Sequence, residues 1–205
     1  MPPDDFREVE VKFLVSDLPT MQDRLKNAGA KLLHPRIHEL NLRFDTPQQT
    51  LTSTFQVLRL RQDQKITLTY KGPSDPDSDV SSRPEIEIEV NSLSSARSLL
   101  QALGYQVMIT YEKYRTTYCL NQAEIVLDEM PYGNFVEIEA PDQKTIEGIA
   151  KRLGLNWEHK IKMSYLLIFN VLKERFKLTA HDLLFEQLKG QVFSIHELFH
   201  EGLDG

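Results

Sequence analysis

The feature that most constrains this chain is an alternation of charged and apolar residues that recurs in six places. It opens in Phe6-Arg7-Glu8-Val9-Glu10-Val11-Lys12-Phe13-Leu14-Val15, where Glu8, Glu10 and Lys12 share one parity and Val9, Val11 and Phe13 the other. It returns at Leu58-Arg59-Leu60-Arg61, at Thr67-Leu68-Thr69-Tyr70-Lys71 and at Glu85-Ile86-Glu87-Ile88-Glu89-Val90, then at Lys113-Tyr114-Arg115 and Val136-Glu137-Ile138-Glu139. A period of two is the signature of a β-strand, whose side chains point alternately to its two faces. Here the polar faces sort by sign, glutamates on some strands and arginines or lysines on others. Like charges side by side on one face repel, so such sorting requires counter-charges across from it, or a ligand.

Eight strand segments result, at about 6–15, 36–45, 55–62, 65–71, 84–91, 107–119, 123–128 and 134–140. Helical spacing occupies about 17–29, with Asp17 as cap and Gly29 as stop, then 93–103 and 142–153. Strands joined by short turns pair antiparallel, which makes the chain α+β. Eight antiparallel strands can close into a barrel whose interior holds side chains or one small ligand. Turned inward, the charged faces line a lumen with carboxylates and with guanidinium and ammonium groups. Crowded carboxylates take up protons or bind a hard cation. Crowded arginines and lysines call for a multivalent anion, and arginine matches phosphate oxygens in bidentate fashion. A metal with a polyphosphate satisfies both halves.

Composition narrows the remaining classes. The 205 residues suit one core, and 24 Lys+Arg against 30 Asp+Glu leave a net charge of -6, which argues against non-specific nucleic-acid binding. The single cysteine, Cys119, excludes an internal disulfide framework and a multi-cysteine zinc site, and reads as a small buried residue. No apolar run approaches the ~20 residues of a membrane span. The polar start, Met1-Pro-Pro-Asp-Asp, is no secretory signal, so the expected location is the cytoplasm.

The motifs resemble, in order, those of the CYTH superfamily, the triphosphate tunnel metalloenzymes. Glu8-Val9-Glu10-Val11-Lys12 is similar to its E-x-E-x-K signature, Phe44-Asp45-Thr46 to its aromatic-Asp-Thr strand end and Leu58-Arg59-Leu60-Arg61 to its L-R-x-R. Lys71-Gly72-Pro73, Arg83-Pro84-Glu85-Ile86-Glu87 and Lys113-Tyr114-Arg115 resemble its K-x-P, R-x-E-x-E and K-x-R. Leu127-Asp128 through Gly133-Asn134-Phe135-Val136-Glu137-Ile138-Glu139 resembles its L-D…G-x-F-x-E-x-E, though the turn is one residue shorter than in many relatives, with Tyr132 where a leucine is usual.

The resemblance covers about residues 6–170. It implies an eight-stranded antiparallel tunnel that binds a triphosphate with two Mg²⁺ or Mn²⁺ ions. Glu8, Glu10, Glu85, Glu87, Asp128, Glu137 and Glu139 would form the metal and polar network. Lys12, Arg59, Arg61, Lys71, Arg83, Lys113 and Arg115 would grip phosphate oxygens, with a late cation supplied by Lys160 or Lys162, the latter preferred. Glu8, Glu10, Lys12, Glu137 and Glu139 would carry the chemistry. Metal-dependent hydrolysis of a small-molecule triphosphate follows, with inorganic triphosphate the first substrate to expect. The alternatives are an adenylate cyclase forming cyclic AMP and pyrophosphate, a thiamine triphosphatase, and a non-catalytic polyphosphate-binding module. Six inward glutamates argue against the module. The inward positions are almost wholly charged, with Thr67 and Thr69 the neutral polar pair, and offer no adenine slot, which ranks hydrolase above cyclase.

Residues 171–205 extend past the tunnel domain of residues 1–170. Thr179…Asp182 and Ser194…Glu197 read as two helix starts separated by Gly190, with apolar residues that would cover the barrel or pair two subunits, so monomer and homodimer both stand. His196-Glu197-Leu198-Phe199-His200 spells H-E-x-x-H, but it reads better as an amphipathic terminal helix than as a zinc site. Asp75-Pro76-Asp77-Ser78-Asp79 lacks the Gly and Glu of a calcium loop and reads as a loop between strands, and Trp157 as a packing residue.

Overall fold

Strand β1 (Arg7–Val15) hydrogen-bonds on both of its edges, and this closes the sheet into a ring. The structure, a computed structural model, describes residues 7–75, 77–193 and 195. One edge of β1 pairs with β5 (Ser81–Glu89), which continues through β4 (Ile66–Lys71) and β3 (Val57–Gln62) to β2 (Lys31–Asp45). The chain of pairings runs on through β6 (Gln106–Leu120) and β7 (Ala123–Met130) to β8 (Gly133–Glu139), which returns to the other edge of β1. All eight pairings are antiparallel and the barrel is closed. The expected α+β barrel with flanking helices is the fold observed.

Helices cover the apolar outer faces. Asp17 caps α1 (Leu18–Asn27) by accepting the Thr20 N–H, and Asp142 caps α4 (Gln143–Arg152) by accepting that of Thr145. Leu25, Ile146 and Ile149 of these helices pack on Val11, Phe13, Ile125 and Ile138. Each such buried aliphatic contributes about 1.5–3 kcal/mol. The helix ends are tied by Arg152, which donates to the Ala28 carbonyl at 2.6 Å, and by Arg24, which donates to that of Leu153 at 3.1 Å. On another face, Leu100 of α3 (Leu93–Ala102) joins Leu42, Phe44 and Leu60.

A short helix, α2 (Thr50–Ser53), and a longer one, α5 (Tyr165–Phe176), have no counterpart in the sequence reading. Ser164 caps α5, and Tyr165, Ile168, Phe169 and Leu172 fall at helical spacing. They cluster with Tyr111, Met130, Tyr132 and Phe135, so α5 plugs one end of the barrel on its β6–β7–β8 side. The helix expected from Thr179…Asp182 is absent. Asp182 instead accepts the Thr110 N–H at 2.8 Å, and Leu183 forms a parallel bridge to Tyr111, which commits this backbone to the edge of β6. Leu183, Leu188 and Ile195 are buried in the α5 cluster.

Strand β2 begins at Lys31 rather than at 36, because β6 pairs with it past bulges around His34 and Ile37 that accommodate Pro35. Cys119 is half-buried, its thiol near the Asn121 carbonyl, rather than buried. The second expected helix start, at Ser194 and Glu197, and the H-E-x-x-H run lie outside the described residues. Among the described residues no helix is long and apolar enough to cross a membrane.

Candidate active site

The strand registers decide which charges meet inside the ring. Glu8 lies opposite Arg83, Lys12 opposite Glu137, Lys71 opposite Glu85, Glu39 opposite Lys113 and Arg115 opposite Asp128. At these positions the repulsion that the sequence implies is answered across the ladder, whereas Glu10 lies opposite Glu139 and Arg43 opposite Arg59. Every expected site residue except Asp128 lines a single cavity of about 1290 Å³ that occupies the lumen.

One group of ion pairs centres on β1. The Lys71 ammonium lies 2.5 Å from Glu8 Oε1 and 3.0 Å from Glu85 Oε2, and Arg83 Nε lies 3.5 Å from Glu8 Oε2. Lys12 Nζ is 3.1 Å from Glu10 Oε1 and 3.4 Å from Glu137 Oε2. Burial opposes the Lys12 charge, but Glu10 and Glu137 outweigh it and hold the ammonium's pKa above its ordinary value. Of the two answers the sequence leaves open, counter-charge or ligand, lumen cations on neighbouring strands supply part of the first.

That compensation is incomplete. Burial, with Glu137 and Glu8 nearby, holds the Glu10 carboxyl up at about 7. Glu139 lies beside Glu10 on one side and Glu124 on the other in register, and forms no ion pair among the described residues. Burial within the lumen wall, with Glu8, Glu10 and Glu124 adding to it, pushes Glu139 up to about 8. Glu137 goes the other way: burial is outweighed by Lys12 and Arg115, which keep it well below the ordinary carboxylate range.

A second group is built on Asp128, which is fully buried. Arg115 grips it with Nε and Nη2 at 2.7 and 2.6 Å, Lys113 donates at 2.9 Å and the Tyr165 hydroxyl at 2.8 Å. With both oxygens so engaged, Asp128 orients two cations and the start of α5 behind the lumen wall. Glu39 completes the group 3.6 Å from Lys113 and 3.7 Å from Arg115, which overcome its burial and hold it down at about 2.

Strand β3 supplies the third group. Arg59 donates to Thr69 at 3.2 Å and lies 3.6 Å from Glu87, while Arg61 sits 3.2 Å from Asp63 and 3.3 Å from Glu87. The buried Nε atoms of Arg59, Arg61 and Arg83 make no hydrogen bond. Of the two late lysines, Lys162 lines the cavity and donates to the Ser78 carbonyl at 3.1 Å, whereas Lys160 lies over the Trp157 ring, which also packs on Phe13.

Sequence reasoning missed Glu39, Arg43, Tyr111 and Tyr165. The first two were legible, since Glu39-Leu40-Asn41-Leu42-Arg43-Phe44-Asp45 alternates as cleanly as any strand named above. Asp45 is a structural member of its motif. It accepts the N–H groups of Thr46, Leu51 and Thr52 at 2.7–2.9 Å, and so folds the α2 turn at the barrel mouth. The lumen is also less uniformly charged than expected. Phe55, Gln56, Val57, Met108, Leu166 and Asn170 line the same cavity, alongside Lys173 and His181, and form a partly apolar vestibule.

The donor set suits a hard divalent cation, because Glu10 and Glu139 are neighbouring oxygen ligands crowded enough to retain protons. No ready-made group of three His, Cys, Asp or Glu ligands exists among the described residues, whose glutamates turn to the lumen cations instead.

Comparison with known proteins places this geometry. The chain is 28% identical over 170 residues to a protein of Methanocaldococcus jannaschii named as a candidate adenylate cyclase, covering 78% of this chain and 96% of the other. It is 28% identical over 162 residues to the adenylate cyclase CyaB of Aeromonas hydrophila, covering 73% and 81%. In fold it is like a Hippeastrum protein described as a candidate adenylyl cyclase with a dominant triphosphatase activity, at a TM-score of 0.60 and 20% identity over 80% of this chain and 95% of that one. Residues 7–165 match the family model of the CYTH domain, and the chain belongs to that family.

Proposed function

We propose that this protein is a divalent-metal-dependent triphosphate hydrolase working inside the barrel, with inorganic triphosphate as its first substrate. The observation that carries this is one lumen in which Arg59, Arg61, Arg83, Lys71 and Lys12 face the unevenly compensated carboxylates of Glu10 and Glu139. Glu8, Glu10, Glu137 and Glu139 would hold the metal. Bound there, Mg²⁺ or Mn²⁺ would offset phosphate charge and lower the pKa of a coordinated water.

The protein's own groups do the rest. Arg59 and Arg61 present guanidinium donors that lack full partners and can take phosphate oxygens. Lys71 and Arg83, held beside Glu8, and Lys12, held between Glu10 and Glu137, fix positive charge where negative charge builds up during phosphoryl transfer. Residues 1–170 would form this working unit, on which Leu183, Leu188 and Ile195 of the following segment pack.

A second reading is favoured by the partly apolar vestibule. Phe55, Val57, Met108 and Leu166 could receive the organic part of a nucleoside or thiamine triphosphate, and the named relatives point to ATP as a substrate for cyclisation. Product analysis separates the readings. The protein is incubated with inorganic triphosphate, ATP and thiamine triphosphate, each with Mg²⁺ and with Mn²⁺. Phosphate release from triphosphate faster than any cyclic AMP formation supports the hydrolase, and the reverse ranking overturns it.

A further inference from the structure

Arg43 is a lumen arginine to which none of the motif residues corresponds. It lies directly opposite Arg59 on β3 and beside Ile109 on β6, close in register to Val57 and Met108 of the vestibule. Opposed like charges on one face of a ladder are unfavourable. Arg59 has Thr69, Glu87 and the Tyr111 phenol to offset this, but Arg43 has no ion pair or hydrogen bond among the described residues, and its Nε is buried without a partner. Burial lowers its pKa and Arg59 and Arg83 nearby add to this, with only part offset by Tyr111 and Asp45. Asn41, two residues earlier on the same strand, is fully buried with neither side-chain amide atom hydrogen-bonded. A guanidinium kept in a cavity against a second guanidinium costs stability unless an anion joins the two.

We propose that Arg43 is a substrate-binding residue that works with Arg59 as a two-guanidinium grip on one phosphate of the triphosphate, at the end of the chain nearest the vestibule. Two planar forks side by side match a tetrahedral group with several free oxygens. The Tyr111 phenol lies against Arg59 with Arg43 and Lys113 close by, and these cations outweigh its burial and lower its pKa. Tyr111 thereby helps to keep the pair together in the free protein.

The inference rests on the triphosphate reading, and the test separates the two. Titration calorimetry with inorganic triphosphate in excess chelator, which prevents turnover, is run on the wild type, Arg43→Gln, Arg43→Lys and Lys144→Gln, the last removing an equal charge from an exposed site. Melting curves of the ligand-free proteins accompany it. Arg43→Gln should weaken binding about tenfold to a hundredfold, as loss of a charge-assisted phosphate contact does. Arg43→Lys should restore part of this, Lys144→Gln should change binding less than about twofold, given screening at surface distances, and the ligand-free Arg43→Gln protein should melt no lower than the wild type. Equal affinity of Arg43→Gln and wild type, an equal loss in Lys144→Gln, or a lower melting temperature in ligand-free Arg43→Gln overturns the grip while leaving the hydrolase reading in place. A wild type that neither binds triphosphate in chelator nor releases phosphate from it with Mg²⁺ or Mn²⁺ overturns both.

Discussion

Replacing Glu139 with glutamine should make the ligand-free protein more stable, by an amount that grows as pH rises from 4.5 to about 8. Below its ordinary pKa of 4.5, Glu139 is protonated in folded and unfolded chains alike and contributes nothing to the difference. Between 4.5 and about 8 the folded state keeps a proton that the unfolded state has lost, so stability falls as pH rises through this window. Taken at face value, a carboxyl displaced that far opposes folding by up to ~5 kcal/mol once ionised. Its side chain nevertheless opens onto water in the lumen, and screening reduces the effect to on the order of 1–2 kcal/mol. Glutamine, isosteric with the protonated acid, escapes the penalty. For a chain of this size the gain corresponds to about 3–6 °C in melting temperature at pH 8.5, with no difference at pH 4.5. Thermal melts of both proteins across this range, without metal, measure it directly. Saturating Mg²⁺ should reverse the order by stabilising the wild type more. A Glu139→Gln protein that melts lower at pH 8.5, or differs equally at both pH values, would refute the view that Glu139 stands uncompensated.

Three further outcomes follow from the same network. Turnover should vanish in excess chelator and in Glu8→Gln and Glu137→Gln, measured by phosphate release from triphosphate with and without Mg²⁺; undiminished turnover in chelator sinks the metal assignment. Arg59→Ala and Arg61→Ala should each weaken triphosphate binding by ~1.5–3 kcal/mol, about tenfold to a hundredfold in Kd, with a smaller effect on urea-unfolding stability; the opposite ordering would make them structural. Asp128→Asn should cost ~3–5 kcal/mol of stability, because it removes the shortest ion pairs of Lys113 and Arg115 in the barrel wall, and a loss below about 1 kcal/mol in urea denaturation would show that Glu39 and Glu137 suffice for them.

The parity of the strands was legible because it is local: Glu8, Glu10 and Lys12 share a face whatever lies beside them. What they lie beside was not, since it depends on pairings between residues as distant as Lys71 and Glu8 or Arg115 and Glu137. Segregation by sign read as a demand for counter-charges across the sheet or for a ligand. In the folded chain much of that demand is met by the adjoining strand, and what is left falls on Glu10, Glu139 and Arg43. Helix α5 escaped because its apolar residues surround much of its circumference, as suits a plug held between the barrel end and the Leu183–Leu188 segment. Asp182 carried a helix-start signal, but the same carboxylate can equally satisfy a strand N–H, and the open edge of β6 took it. Local pattern therefore specifies the kinds of charge in the lumen, whereas register specifies which of them remain for a substrate. A single slip of β1 against β8 would take Glu137 away from Lys12 and turn Glu8, Glu10 and Lys12 toward the apolar packing of α1 and α4, so burial on the outer face fixes the register and, through it, the charges inside.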